Sequence, residues 1–180
     1  MLKYLIPFVA FCISIVFYAQ SKVDADNGAP LSAEDRLAII ALASMLDTAV
    51  DAKDWAAANA FFTQSIDVRL PGAPATTMKA SELVAAWEHN LFAEKKSFHL
   101  RGDEIVEATP EGDIRLLSKA YAWNHLPGME GGELWEVWGD YTYGIVEEDG
   151  TWKISSFEFQ PVFDRGNAAV PGFQKEQSGD

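Results

Sequence analysis

Apolar and polar positions change their rhythm once along the chain, from helical spacing in the first half to alternation in the second. Leu37, Ile39, Ile40, Ala41, Leu42, Leu46 and Val50 form a wide apolar face at helical spacing, and Ser32 with Asp35 three residues later is a close variant of the capping box. A mostly buried helix is therefore predicted from Ser32. Its polar exceptions, Ser44, Asp47, Thr48 and Asp51, fall at i, i+3, i+4 and i+7 and share one stripe, which is either the wet side of the helix or the lining of a cavity. Asp54 caps a short second helix, Trp55 to Phe62, followed by a brief strand, Ser65 to Leu70, and a loop at Pro71-Gly72-Ala73-Pro74. Ser81 is read as the cap of a third helix reaching about Glu94, with Leu83, Val84, Trp87 and Leu91 on its apolar side.

From Ser97 onward the period is two. Strands are predicted at Ser97 to Ala108, Ile114 to His125, Leu134 to Glu147 and Thr151 to Gln160. They are joined by Pro110-Glu111-Gly112-Asp113, by the glycine-rich stretch Pro127 to Gly132, and by Asp149-Gly150, a hairpin signal. Helices followed by consecutive long strands predict an α+β domain with a mostly antiparallel sheet. The domain is placed at residues 32–167, with 168–180 as a flexible tail.

The first twenty residues are set apart. Lys3 precedes an apolar run, Leu5 to Tyr18, that ends in Ala19-Gln20-Ser21. Fourteen residues, apolar but for Ser14, are short for a membrane span, which needs about 20, but suit the core of a signal peptide. Residues 1–20 are thus read as an export signal, with an uncleaved membrane anchor as the alternative, and 21–31 as a linker. The expected location is periplasmic or secreted, with no membrane association once the leader is removed. Cleavage would take away Cys12, the one cysteine, so no disulfide framework is expected. The net charge of -13 argues against nucleic acid, because a phosphate-binding surface needs a basic footprint.

Candidate chemistry rests on few residues. Of the three histidines, His89 neighbours Glu88 and Asn90 on the third helix and reads as solvated. His99 shares a strand face with Arg101, and His125 shares one with Trp123, Tyr121 and Lys119. A strand histidine is either a satisfied core residue or a tuned acid/base. Trp135 and Trp138 fall on opposite faces of one strand, so one of them points away from the core.

Asp51-Ala52-Lys53-Asp54-Trp55, then Phe61-Phe62, Gly139-Asp140-Tyr141, Asp149-Gly150-Thr151-Trp152-Lys153-Ile154 and Gly166-Asn167 together resemble the NTF2-like superfamily in its SnoaL-like branch, over Asp35 to Asn167. The resemblance implies a cone: a strongly curved sheet wrapped around a deep apolar pocket and closed by three N-terminal helices. It leaves self-association into a homo-oligomer open. The functional likeness is to scytalone dehydratase, whose catalytic Asp and two His match Asp51, His99 and His125. Family tyrosines that polarise the substrate carbonyl fall on Val50 and Leu70, and the family's pocket Ser and Asn on Gly139 and Tyr141, so scytalone itself is not expected as substrate. Tyr121, Trp123, Tyr141 and Tyr143 are the expected substrate-binding aromatics.

What the likeness implies is a lyase, a dehydratase or isomerase acting on a small hydroxylated cyclic or polyketide-like ketone. Removing water from a β-hydroxy carbonyl compound needs a base for the α-proton and an acid for the leaving hydroxyl, and one histidine serves both in a syn elimination. Asp51 bonded to His125 would fix its tautomer, while His99 would hold or protonate the oxygen. Two His and one carboxylate are also the composition of a facial iron triad. The resemblance points instead to chemistry without metal or cofactor. The second reading is a non-catalytic module that binds a small apolar molecule or a protein partner.

Overall fold

The computed structural model describes residues 31–109 and 111–174. The expected leader, and the linker up to Pro30, lie outside the described residues, as does the chain from Lys175.

Ser32 opens α1 (Ala33–Ala52) with a reciprocal cap: its Oγ accepts from the Asp35 amide at 3.0 Å, and the Asp35 carboxylate accepts from the Ser32 amide at 3.1 Å. The helix ends in a left-handed Lys53, φ 59°, and the Asp54 carboxylate then caps α2 (Trp55–Ala60) by accepting from the Ala57 amide at 3.0 Å. The chain continues into β1 (Phe62–Arg69), β2 (Thr76–Lys79) and α3 (Ala80–Asn90). Here two expectations are corrected. A four-residue strand too short to display alternation precedes α3, and Ser81 lies inside the helix rather than capping it. Lys79 occupies the cap position, where its amide donates to the Glu82 carboxylate at 3.3 Å.

Four long strands follow: β3 (Lys96–Ala108), β4 (Ile114–His125), β5 (Leu134–Glu148) and β6 (Thr151–Gly166). The sheet runs β2-β1-β6-β5-β4-β3; β1 and β6 are parallel and all other neighbours antiparallel. The α+β class and mostly antiparallel sheet are as expected. Asp149 and Gly150 both take positive φ, 51° and 74°, which is the two-residue turn that matches strand twist. β6 runs beyond its expected end at Gln160 because a register shift between Trp138 and Gly139 accommodates Pro161 opposite Gly139.

One face of the sheet is covered by helices. Ile39, Leu42, Leu46 and Val50 of α1 and Leu83 and Val84 of α3 are buried with Ile66, Leu116, Ile145, Ile154 and Phe157 of the strands. α1 lies along β3. Among the described residues no helix is long and apolar enough to cross a membrane.

The segment after Asn167, expected to be flexible, is docked through Phe173. Val170 in α4 (Ala169–Gly172) is fully buried, and Phe173 meets Phe92 at 6.2 Å between ring centroids. Lys95, also fully buried, spends its three protons on the Phe173 carbonyl at 2.7 Å, the Pro171 carbonyl at 3.3 Å and the Asn90 side-chain oxygen at 3.2 Å. Burial, with the charge of Lys53 adding to it, pushes the Lys95 ammonium down to about 8. This is a structural lysine, and no periodicity in the sequence announces it.

Candidate functional site

The polar stripe of α1 divides when it meets the sheet. Ser44 and Thr48 stay exposed, the Thr48 hydroxyl donating back to the Ser44 carbonyl at 2.9 Å. Asp47 and Asp51 turn to β3, whose alternation sends Ser97, His99 and Arg101 toward the helix.

Asp51 accepts three hydrogen bonds of 2.8 Å: from the Ser97 hydroxyl, from the His99 backbone amide and from His99 Nδ1. Burial acts to raise the Asp51 carboxyl, but the bond and charge of the His99 ring, the Ser97 hydroxyl and the His99 amide together hold it below its ordinary value. The carboxylate therefore fixes the imidazole with its proton on Nδ1. Nε2 has no hydrogen-bond partner among the described residues, and His99 lines a cavity of about 190 Å³.

Two residues further along β3, Arg101 donates from Nε to Asp47 at 2.5 Å and from Nη2 to the second Asp47 oxygen at 2.6 Å. Nη1 donates to the Ser118 hydroxyl at 3.1 Å, and Nη2 also donates to the Tyr143 hydroxyl. The Arg101 side chain is only 4% exposed, and its guanidinium lies 4.4 Å over the Tyr141 ring and 4.9 Å over the Tyr143 ring. Burial works against its charge, but Tyr143 and Asp47 hold the guanidinium firmly protonated. Leu46, Val50, Trp87, Leu91 and Phe157 supply apolar wall, and Asn124 a further polar group.

Of the expected site residues, Asp51, His99, Tyr141 and Tyr143 are brought together. His125, Tyr121 and Trp123 are not. β4 turns Ser118, Ala120, Ala122 and Asn124 toward the helices, so its odd-numbered residues stand on the outer face. There His125 Nε2 lies 3.3 Å from Glu133 with its side chain 36% exposed. The Tyr121 hydroxyl donates to Glu136 at 2.7 Å, and Trp123 stacks on Phe98 at 5.9 Å. The expected Asp51–His125 pair is thus corrected to Asp51–His99. Since the two histidines face opposite sides of the sheet, the three residues do not form a facial triad. Among the described residues no cluster of three His, Cys, Asp or Glu side chains is placed to hold a metal ion.

Asp47 and Arg101 were not among the expected site residues. Their signal was present as spacing: Asp47 and Asp51 at i and i+4 on a helix, His99 and Arg101 at i and i+2 on a strand. Those intervals are about 6 Å and about 6.7 Å, so two acid–base rungs can align.

A sequence profile for the SnoaL-like domain matches residues 31–158. A search of curated proteins finds no match. Among solved structures, the protein Kfla4162 from Kribbella flavida superposes with a TM-score of 0.70 at 21% identity, covering 78% of this chain and 98% of that one. A putative scytalone dehydratase from Novosphingobium aromaticivorans gives 0.65 at 15% identity, covering 74% and 88%. A hexachlorocyclohexane dehydrochlorinase, LinA type 2, gives 0.62 at 18% identity, covering 82% and 96%. At these identities the likeness is one of fold.

Proposed function

The chain belongs to the SnoaL-like domain family, and we propose that within it this protein is a lyase that abstracts an α-proton from a small carbonyl compound with His99 and expels a β-hydroxyl as water. The observation that carries this reading is the Asp51–His99 pair, in which Nδ1 is bound to a carboxylate at 2.8 Å while Nε2 opens on a largely apolar cavity. Such an arrangement presents a neutral imidazole as base and stabilises the imidazolium once it forms. In the reaction the α C–H pair becomes the enolate double bond. The enolate then collapses to the α,β-unsaturated carbonyl as the β C–O bond breaks, and the proton on His99 Nε2 leaves with the departing hydroxyl.

Cavity volume sharpens the substrate class. An apolar cavity of about 150 Å³ takes up benzene, so 190 Å³ has room for one substituted ring beside His99. The ligand supported best is a single-ring or similarly small β-hydroxy ketone.

The test is untargeted mass spectrometry on a metabolite extract incubated with the protein, beside its Asp51→Asn/His99→Gln double variant. A compound consumed only by the wild type, with a product lighter by one water, is the expected result. A compound that co-purifies unchanged with both forms overturns the reading and makes this a binding module. We also propose that the run Leu5 to Tyr18 directs export. N-terminal sequencing of the protein from the extracytoplasmic fraction should find a start near Gln20 or Ser21; an intact Met1 there would refute cleavage.

A further inference from the structure

Tyr121 and Trp123, which the cavity does not use, belong to an ordered pattern on the outer face of the sheet. Leu100 of β3, Tyr121 of β4, Trp138 of β5 and Phe163 of β6 are direct register partners and form one row across four strands. Tyr121 meets Trp138 at 4.9 Å and Trp138 meets Phe163 at 5.4 Å between ring centroids. Two residues along, Phe98, Trp123, Glu136 and Arg165 form a second row, with Arg165 lying 5.3 Å over the Trp138 ring. Both ends of the first row are open to solvent, Leu100 and Phe163 each being 57% exposed, and Phe98 is 42% exposed. Large aromatics in register on an open face, with few charges among them, have the composition of an interface core.

Charge identifies what covers it. The chain carries a net charge of -13, yet the carboxylates on this face are matched. Glu136 accepts from Arg165 Nε at 2.6 Å, from Arg165 Nη2 at 3.0 Å and from the Tyr121 hydroxyl at 2.7 Å. In the row on the other side of Trp138, Lys119 donates to Asp140 at 2.5 Å. Docking here therefore strands no unpaired carboxylate. A polyanion would find no basic excess, and a cationic partner would be drawn to the acidic surplus elsewhere on the molecule. A second copy of the chain, repelled by that surplus, meets no net charge on this face.

We propose that the outer face joins two copies of the chain in a two-fold dimer whose axis runs along the strands, between β4 and β5. A two-fold interface sets a patch against itself, and this axis exchanges β4 with β5 and β3 with β6. Tyr121 then faces the partner's Trp138, and Leu100 faces the partner's Phe163. In the second row Phe98 lies against the partner's Arg165, and in the row beyond Trp138, Lys119 meets the partner's Asp140. Apolar side chains meet apolar ones, each cation meets a ring or a carboxylate, and no like charges are opposed. An axis along the rows would instead set Glu136 against the partner's Asp140. Sheets packed face to face stand about 10 Å apart, which these side chains fill from both sides.

Sedimentation equilibrium of the purified protein should give twice the chain mass at micromolar concentration. Leu100→Glu and Phe163→Lys alter two exposed side chains that lie three strands, about 14 Å, apart within one chain. Each alone should weaken the dimer by about a hundredfold, because the lost contact occurs twice. The double variant Leu100→Glu/Phe163→Lys sets opposite charges against each other across the axis, and should bind at least about ten times more tightly than either single variant. A measurement on the wild type alone is hydroxyl-radical footprinting: oxidation of Trp138 and Phe163 should fall as the protein is concentrated, while Trp152, packed against the core, should not change. A wild-type monomer or trimer, a dimer indifferent to the single variants, a double variant no tighter than the singles, or oxidation of Trp138 and Phe163 that ignores concentration overturns the proposal.

Discussion

Asp47 grips Arg101 through two N–H groups, at 2.5 Å and 2.6 Å, one turn of α1 before Asp51 takes the ring of His99 at 2.8 Å. The helix and strand run in opposite directions at this contact, so rising numbers on α1 meet falling numbers on β3. One rung is a fixed ion pair and the other is a base with a free nitrogen. The first rung determines where the second stands, because both acids come from one rigid helix and both partners from one strand.

The Asp47–Arg101 rung makes a stability prediction. Removing one member of a buried pair strands the other, at about 3–5 kcal/mol. Arg101→Leu and Asp47→Leu should each fall in that range by urea unfolding. The double variant should be less destabilised than the sum, since it leaves no orphan charge. Strict additivity in that cycle would mean that the two side chains are not coupled.

The exchange of His125 for His99 as the partner of Asp51 separates two histidine variants that the sequence alone treats alike. His99→Gln and Asp51→Asn should each lower α-proton exchange of a responsive ketone by about 10²–10⁴, with melting curves that show a folded protein. His125→Ala, on the outer face beside Glu133, should stay within about a factor of two of wild type. Deuterium incorporation followed by NMR measures all three. A loss in His125→Ala matching that in His99→Gln would contradict the assignment.

Why the sequence mispaired these residues is a question of parity. It predicted the four long strands closely, because β3 to β6 alternate over a dozen or more residues and are punctuated by glycine-rich or Asp-Gly turns. It also placed Asp51 and His99 in one site. His125 shares its face with Lys119, and Lys119 reaches Asp140 on the exposed side; that lysine was the available sign that the face looks outward. The resemblance outweighed it, since it matched His125 by position along the strand and not by side. β2 escaped detection because four residues show no period, and the docked C-terminal segment escaped because a buried lysine holding backbone carbonyls leaves no pattern.

Asp51 should also mark the acid limb of stability. Its carboxyl titrates below its ordinary value of 3.8 in the folded protein, so the folded state binds fewer protons than the unfolded chain as pH falls through that region. The stabilisation is present above 3.8 and is lost as pH drops through the folded value. The difference in unfolding free energy between wild type and Asp51→Asn should therefore shrink as pH falls below about 4. A difference independent of pH from 6 to 3 would mean that the carboxylate charge contributes nothing to the fold.

Lys95 sets the opposite, alkaline limb. Burial lowers its ammonium from an ordinary 10.5 to about 8, so between those values the unfolded chain holds a proton that the folded protein has released. Stability then rises with pH across that interval. Below 8 the folded protein carries the buried charge, with all three protons engaged on Asn90, Pro171 and Phe173. Chemical unfolding of wild type and Lys95→Met at pH 7.5 and pH 10 should show the wild type gaining relative to the variant at the higher pH. Hydrogen exchange adds a second readout, because Lys95→Met removes the anchor of α4 and should speed exchange of the Val170 and Phe173 amides, which donate to Asn167 and Val170 carbonyls at 3.0 Å and 3.3 Å. Equal pH slopes in the two proteins would show that Lys95 titrates as a solvated lysine. Unchanged exchange at Val170 would show that its burial alone holds the segment in place.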